Sequence, residues 1–224
     1  MSGFRGFHLA TNFRIFACAA ALIAGLLPGI AHANLISNGN FASSCGSGTY
    51  CTYSAGDSTS ISGWTVGGAS VDLITGYWQA PPGGGNSVDL DGLADGSVQT
   101  SFGTNTGTQY TLSFELSGNP DGGNPIKTVE VDVAGIIQTF TFDTSAMGNS
   151  HSDMKWVLET LVFTATGSIT DLKFLSLDDP SSSYGAVIGN VSVVPVPEPG
   201  TMALLGVGLL AMGAYARRWN RPAV

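Results

Sequence analysis

From Gln109 to Leu116 the chain alternates strictly: Tyr110, Leu112, Phe114 and Leu116 fall on one side, Thr111, Ser113 and Glu115 on the other. Thr128 to Val133 repeats the pattern, with Val129, Val131 and Val133 set against Glu130 and Asp132. A period of two is that of a β-strand with one face buried. Further candidate strands are Ser70–Thr75, Ser87–Leu90, Ser97–Phe102, Ile136–Asp143, Lys155–Thr166, Thr170–Leu177 and Ala186–Val194. Turn-forming clusters separate them, such as Pro81-Pro82-Gly83-Gly84-Gly85-Asn86, Gly118-Asn119-Pro120-Asp121-Gly122-Gly123 and Ala134-Gly135. Between Asn34 and Val194 no stretch shows a helical period, and no repeat of domain-building length is found. Short strands at this spacing predict an all-β sandwich, with the jelly-roll as its natural form.

Two stretches break the alternation, one at each end. Ile15–Ile30 is apolar, follows Arg5 and Arg14, and carries Pro28 as a breaker near its end. Ala31-His32-Ala33 then supplies the small-x-small pattern of a signal-peptidase site, so that Asn34 becomes the mature start. The competing reading is an uncleaved anchor helix. A lipoprotein site at Cys18 is rejected, because Phe16 is bulky for it and almost no apolar sequence precedes it. At the other end, Gly200–Ala216 holds no charge and would span about 25 Å as a helix, the lower end of what crosses a bilayer. Arg217, Arg218 and Arg221 directly behind it argue for a membrane stop, although a buried core helix of this length is the plain alternative. Pro195, Pro197 and Pro199 stiffen the segment before it. The organisation read from the chain is therefore a signal peptide over 1–33, a β-sandwich domain over 34–194 and a tail over 195–224 with a transmembrane helix at 200–216.

Composition sharpens this outline. Gly is abundant at 31 residues and charged residues make up only 11%, which suits strands and turns. All five arginines lie in the terminal segments. Between Asn34 and Val194 three lysines (Lys127, Lys155, Lys173) face fifteen Asp and Glu, a net charge of −12. Such a body repels phosphate backbones, which excludes nucleic acid as a partner and favours cations or neutral polymers. Cys18 leaves with the signal, and Cys45 and Cys51, six apart in a Gly/Ser/Thr loop of an exported chain, are expected to form a disulfide.

The candidate chemistry is sparse. His151 is the one histidine left after signal removal, in a polar loop without a nucleophile elbow, and is read as solvated. Zinc held by several histidines is excluded. Asp89 and Asp91, at i and i+2 on a strand, share a face with Val88 and Leu90 on the other. They are read as solvated acids, and calcium is the cation that would bridge them; Asp95 and the pair Asp178-Asp179 are further acids of interest. Tyr77-Trp78, beside Gly76 and the Pro/Gly run, offers a flat ring for stacking on a sugar, Trp78 suiting core and ligand equally. Trp64 and Trp156 are expected in the core.

The tail resembles a known sorting signal. Pro197-Glu198-Pro199, the apolar helix and the arginines, Arg217 and Arg218 foremost, match the PEP-CTERM motif in order and spacing. That resemblance implies transient anchoring in the inner membrane and processing by an exosortase, a transpeptidase-like membrane enzyme of Gram-negative bacteria that make extracellular polysaccharide. The body also resembles a family: Asn34-Leu35-Ile36, Asn38-Gly39-Asn40-Phe41, Ile61-Ser62-Gly63-Trp64, Ser87-Val88-Asp89-Leu90-Asp91-Gly92, and Tyr110-Thr111-Leu112-Ser113-Phe114 with Gly118-Asn119-Pro120 are similar to the choice-of-anchor C group, related to DUF642 proteins with galactose-binding-like sandwiches. The resemblance implies a jelly-roll module tied to cell-wall or matrix carbohydrate, without established catalysis. One departure is Gly189, where relatives commonly carry an Asp before the Asn; if that Asp helps to hold calcium elsewhere, it cannot do so here. The expectation is an exported cell-surface or matrix protein, no enzyme, handled by signal peptidase and exosortase and associating with extracellular polysaccharide. The alternatives are a purely structural or adhesive matrix protein, or a glycosidase using two carboxylates.

Overall fold

The computed structural model of the chain describes residues 33–197 and 199–219. The export signal before Ala33, with Ala31 of the cleavage site, and Glu198 and Arg221 of the tail lie outside the described residues.

Eleven strands are described: β1 Tyr50–Ser54, β2 Thr65–Gly68, β3 Ser70–Ile74, β4 Ser87–Asp89, β5 Gly96–Gly103, β6 Gln109–Gly118, β7 Ile126–Val133, β8 Ile136–Asp143, β9 Val157–Thr164, β10 Ile169–Ser176 and β11 Ala186–Pro195. They form a six-stranded sheet, β1-β3-β4-β11-β6-β9, and a five-stranded sheet, β2-β5-β10-β7-β8. Every pairing is antiparallel. From β4 onward the chain crosses repeatedly between the sheets, and the architecture is a jelly-roll β-sandwich.

The alternation seen in the sequence is what closes the sandwich. Tyr110, Leu112, Phe114 and Leu116 of β6 and Val129, Val131 and Val133 of β7 are all buried in one core. Phe114 stands edge-on to Phe140 and Phe174 at ring separations of 5.2 and 5.0 Å, and Trp64 packs on Phe41 at 5.0 Å. Each such side chain contributes about 1.5–3 kcal/mol through burial. Trp64 is a core residue, as expected.

Two strands and a short helix were not anticipated. β1 (Tyr-Cys-Thr-Tyr-Ser) is half polar on both faces, and β2 has four residues, two of them glycine. Helix α1, Thr144–Met147, is a single turn begun by the Asp143 carboxylate, which accepts from the Ser145 and Ala146 N–H groups, and closed by left-handed Gly148. Cys45 and Cys51 are disulfide-bonded, tying the loop before β1 to that strand. Closing so small a ring adds about 2–3 kcal/mol at most.

The outer face of the six-stranded sheet is not left open. Ile74, Trp78, Met154 and Val187 form a second, smaller apolar cluster there, with Trp156 packed against it. Trp156 precedes β9 rather than lying within it, and is half-buried, because it serves this outer cluster and not the main core. The loops after β3 and before β9 meet over this face, Gln79 N–H donating to His151 O (2.7 Å) and Met154 N–H to Gln79 Oε1 (2.8 Å).

Asn34 begins the domain's hydrogen bonding. Its Oδ1 accepts from Val193 N–H at 2.9 Å, its Nδ2 donates to Val191 O, and Leu35 N–H donates to Val193 O. At the other end a helix forms over Pro199–Trp219, α2, which opens on Pro199 and carries Arg217 and Arg218 in its last turn. Residues 205–216 of it are exposed. Among the described residues no helix is long and apolar enough to cross a membrane.

Candidate functional site

Between the ends of β1, β3 and β4 and the loops at Asn119–Asp121 and Ser183–Tyr184 lies a cavity of about 260 Å³. It opens on the outer face of the six-stranded sheet, because outward-facing Tyr50 and Thr52 of β1, Asp72 and Ile74 of β3 and Asp89 of β4 line it. Its exposed lining includes three phenol rings, Tyr50, Tyr77 and Tyr184, at 50%, 39% and 39% exposure. Its buried lining includes Trp78 and Asp89.

The rings are held in place by one another and by an acid. Tyr77 lies 5.4 Å from Tyr50, 5.5 Å from Trp78 and 4.6 Å from His151, centre to centre. Asp121 bridges the set: its Oδ1 meets His151 Nε2 at 2.6 Å and its Oδ2 accepts from Tyr77 Oη at 3.1 Å. That hydrogen bond, with the negative charge behind it, raises the Tyr77 pKa. Trp78 donates from Nε1 to Ser87 Oγ at 3.0 Å, so its one polar atom is satisfied inside the protein. Of the aromatic pair read from the sequence, Tyr77 is therefore the ring presented to solvent, and Trp78, 6% exposed, supports it from beneath. His151 is no isolated loop residue; it is clamped by Asp121 and packed on Tyr77.

Asp89 and Asp91 do share a face, with Val88 and Leu90 on the core side. They are not solvated. Both are at most 1% exposed, covered by the Asn119 and Gly185 segments. Asp89 is fully engaged: Oδ1 accepts from Asp91 N–H and Gly185 N–H at 3.1 Å each, and Oδ2 from Asn119 Nδ2 at 2.7 Å. Burial nevertheless raises its pKa well above the carboxylate norm. Asp91 has no hydrogen-bond partner of good geometry at either oxygen, and burial pushes it to about 6. Nearby, the buried Lys127 ammonium donates to Gly122 O and Tyr184 O, and its charge acts favourably on Asp178, Asp89 and Asp91 while burial lowers its own pKa.

Calcium takes six to eight oxygens. Here one carboxylate is spent on three N–H donors, the second stands alone, and a lysine already supplies positive charge. Among the described residues no group of three or more His, Cys, Asp or Glu could hold a metal ion. These residues do not fit calcium. Gly189 points outward on β11, and a Cβ there would meet Pro81 Cγ at 2.4 Å, so the Pro-Pro-Gly loop occupies the space an Asp would need.

Tyr50, Tyr184, Asp72, Asn119 and Asp121 were missed in the sequence because they come together only through the fold. The signal available was weak: Asp121 sits in a Gly/Pro turn and Tyr50 borders a cysteine loop.

Residues 34–194 match the family described as "Protein of unknown function (DUF642)". The chain belongs to that family. Residues 195–218 match the PEP-CTERM protein-sorting motif. A curated relative of this DUF642 chain is Halomucin of Haloquadratum walsbyi, 33% identical over 199 residues; the match covers 83% of this chain and 2% of Halomucin. Among solved structures it is similar to a CBM4 protein (17% identity, TM-score 0.41, 72% of this chain and 99% of that one). It is also similar to a family 35 carbohydrate binding module from Clostridium thermocellum (14% identity, TM-score 0.43, 65% and 98%). Both likenesses are distant.

Proposed function

We propose that this DUF642 chain is a non-catalytic, polysaccharide-binding protein of the cell surface or extracellular matrix, exported by a signal cleaved after Ala33 and sorted by exosortase through its PEP tail. The observation that carries the binding reading is the cavity ringed by Tyr50, Tyr77 and Tyr184 over a polar base of Asp72, Asp89, Asn119 and Asp121. Flat rings cover the apolar face of a sugar, and fixed carboxylate and amide groups accept from and donate to its hydroxyls. An open, shallow site of this kind gives weak single contacts, strengthened when a polymer offers many. Tyr50, Tyr77 and Tyr184 are all exposed, so a ligand needs no rearrangement to reach them. For the sorting reading, the support is the match over residues 195–218 and the exposed apolar helix behind Pro197 and Pro199.

Native electrophoresis of the full chain through gels containing soluble polysaccharide tests the binding site. Tyr77→Ala is expected to lose most of the retardation while keeping its melting temperature. Unchanged retardation would remove the cavity as the site. Release of reducing ends from any of the same glycans, abolished by Asp121→Asn, would replace the binding reading with a hydrolytic one.

A further inference from the structure

On the opposite side of the sandwich the outer face of the five-stranded sheet carries a larger hollow, about 670 Å³, lined without a single aromatic ring. Strand register arranges its polar residues in a row. Thr65 of β2 stands against Gln99 of β5, Gln99 against Lys173 of β10, and Lys173 against Asp132 of β7. At about 4.8 Å between strands this row runs roughly 14 Å. Beside it Ser101 donates to Asp171 Oδ1 at 2.6 Å. The β7–β8 turn at Ala134–Gly135 and Ile169 at the start of β10 bound the hollow.

Any solvated sheet face is polar, so polarity alone says little. Lys173 says more. Of the body's three lysines, Lys127 is buried and Lys155 pairs with Asp153, whereas Lys173 makes no ion pair among the described residues despite Asp132 across the ladder and Asp171 two residues before it. Lys173 is among the residues that line the hollow. Thr65 and Gln99 can each donate and accept, Lys173 donates and Asp132 accepts, so the row offers both roles along a concave surface, which suits a repeating chain of hydroxyls, each of which also does both. One lysine against two aspartates leaves no net attraction for a polyanion.

We infer that this hollow is a second glycan-binding groove, for a neutral polysaccharide, and that one domain thereby ties two chains together from opposite faces. The groove stands on its own geometry; the cross-link rests also on the reading of the tyrosine cavity. With no ring to stack on, the groove works through hydrogen bonds alone and discriminates by hydroxyl pattern.

The test uses the full chain, purified in detergent, with soluble β-glucan, xylan and galactomannan. Wild type is expected to be retarded by at least one of the three. Gln99→Ala with Lys173→Ala should weaken that retardation by about tenfold, as the loss of two direct hydrogen-bonding side chains requires, with melting unchanged. If the double variant melts early, Gln99→Ala alone, on the solvent face, carries the test. Light scattering of protein with the bound glycan should rise for wild type and stay flat for the groove variant and for Tyr77→Ala. Full retardation of the groove variant on every glycan that holds wild type overturns the groove, as does the absence of retardation with all three. Loss in the groove variant alongside wild-type behaviour of Tyr77→Ala keeps the groove and removes the cavity. Weakened binding by both variants without a rise in wild-type scattering overturns the cross-link.

Discussion

Asp91 contributes to the pH response of the domain. It is fully buried, neither oxygen has a hydrogen-bond partner of good geometry, and burial lifts its pKa to about 6 against the weaker opposing pull of the nearby Ser176 hydroxyl. The folded state thus holds this proton more tightly than the unfolded chain does. The associated stability is fully present below about 3.8 and is lost as pH rises through about 6. Asp89 acts in the same direction. Asp57 acts in the opposite one: hydrogen bonds from Ser60 and Thr59 hold it near 2, so its contribution is present above 3.8 and is lost as pH falls toward 2. The melting temperature is therefore expected to climb from pH 7.5 to pH 5 and to fall again below pH 4. Asp91→Asn should raise it by several degrees at pH 7.5 and flatten the climb. A variant that melts like wild type at both pH 7.5 and pH 5 would show that the carboxylate is not desolvated as the geometry requires. The period-two pattern was enough to place Asp89 and Asp91 on one face. It held no sign of their burial, because the groups that cover them, Asn119 and Gly185, lie 30 and 96 residues further along.

At the scale of elements, legibility followed how many faces of a strand are sorted. β6 and β7 are apolar on one side and polar on the other, and their inner residues were read one by one. β1 pairs only with β3 at the rim of its sheet and offers the core just Cys51 and a half-buried Tyr53, too short an inner face to mark a strand in the sequence. β2 escaped notice because two of its four residues are glycine. The outer apolar cluster was equally hidden: Ile74 with Trp78, Met154 and Val187 come from three stretches far apart in the chain. The loop that supplies Trp78 also explains Gly189. Pro81 packs where a side chain at 189 would stand. Gly189→Asp should therefore cost about 1–3 kcal/mol through overpacking, measured by urea denaturation. Pro81→Gly in the same chain should recover part of that loss, since the obstructing ring is gone. A Gly189→Asp variant as stable as wild type would mean that the loop moves aside freely, and the positions of Trp78 and Tyr77 would then owe little to it.

For the whole molecule, the two ends present opposite physical situations. At the front, Asn34 is bound into β11 through its side chain and through its neighbour's N–H, so a cut after Ala33 leaves these bonds intact. At the back, α2 exposes Leu205, Val207, Leu210 and Met212 at 43%, 64%, 75% and 64%. An apolar helix open on its described faces loses the roughly 1.5–3 kcal/mol per large side chain that burial would supply, and lipid or a protein groove is what could supply it. Pro195 closes β11, Pro197 follows it and Pro199 stands at the first position of the helix, where its fixed φ and missing N–H are tolerated. The sorting route proposed above draws on that contrast: the front is removed first, and the exposed apolar back is the part left to be recognised with the PEP segment. Intact mass of the protein recovered from the cell surface or the medium is expected to lack residues 1–33 and the helix with its arginines. Glu198→Ala should leave a chain that has lost only its front, retained in the inner-membrane fraction with its helix still attached. The Cys45–Cys51 disulfide lies within the domain and not in the tail, so the retained chain should still show a protected pair on thiol labelling without reductant. Release of Glu198→Ala at the wild-type rate, with the tail removed, would sink the sorting route while leaving the binding surfaces untouched.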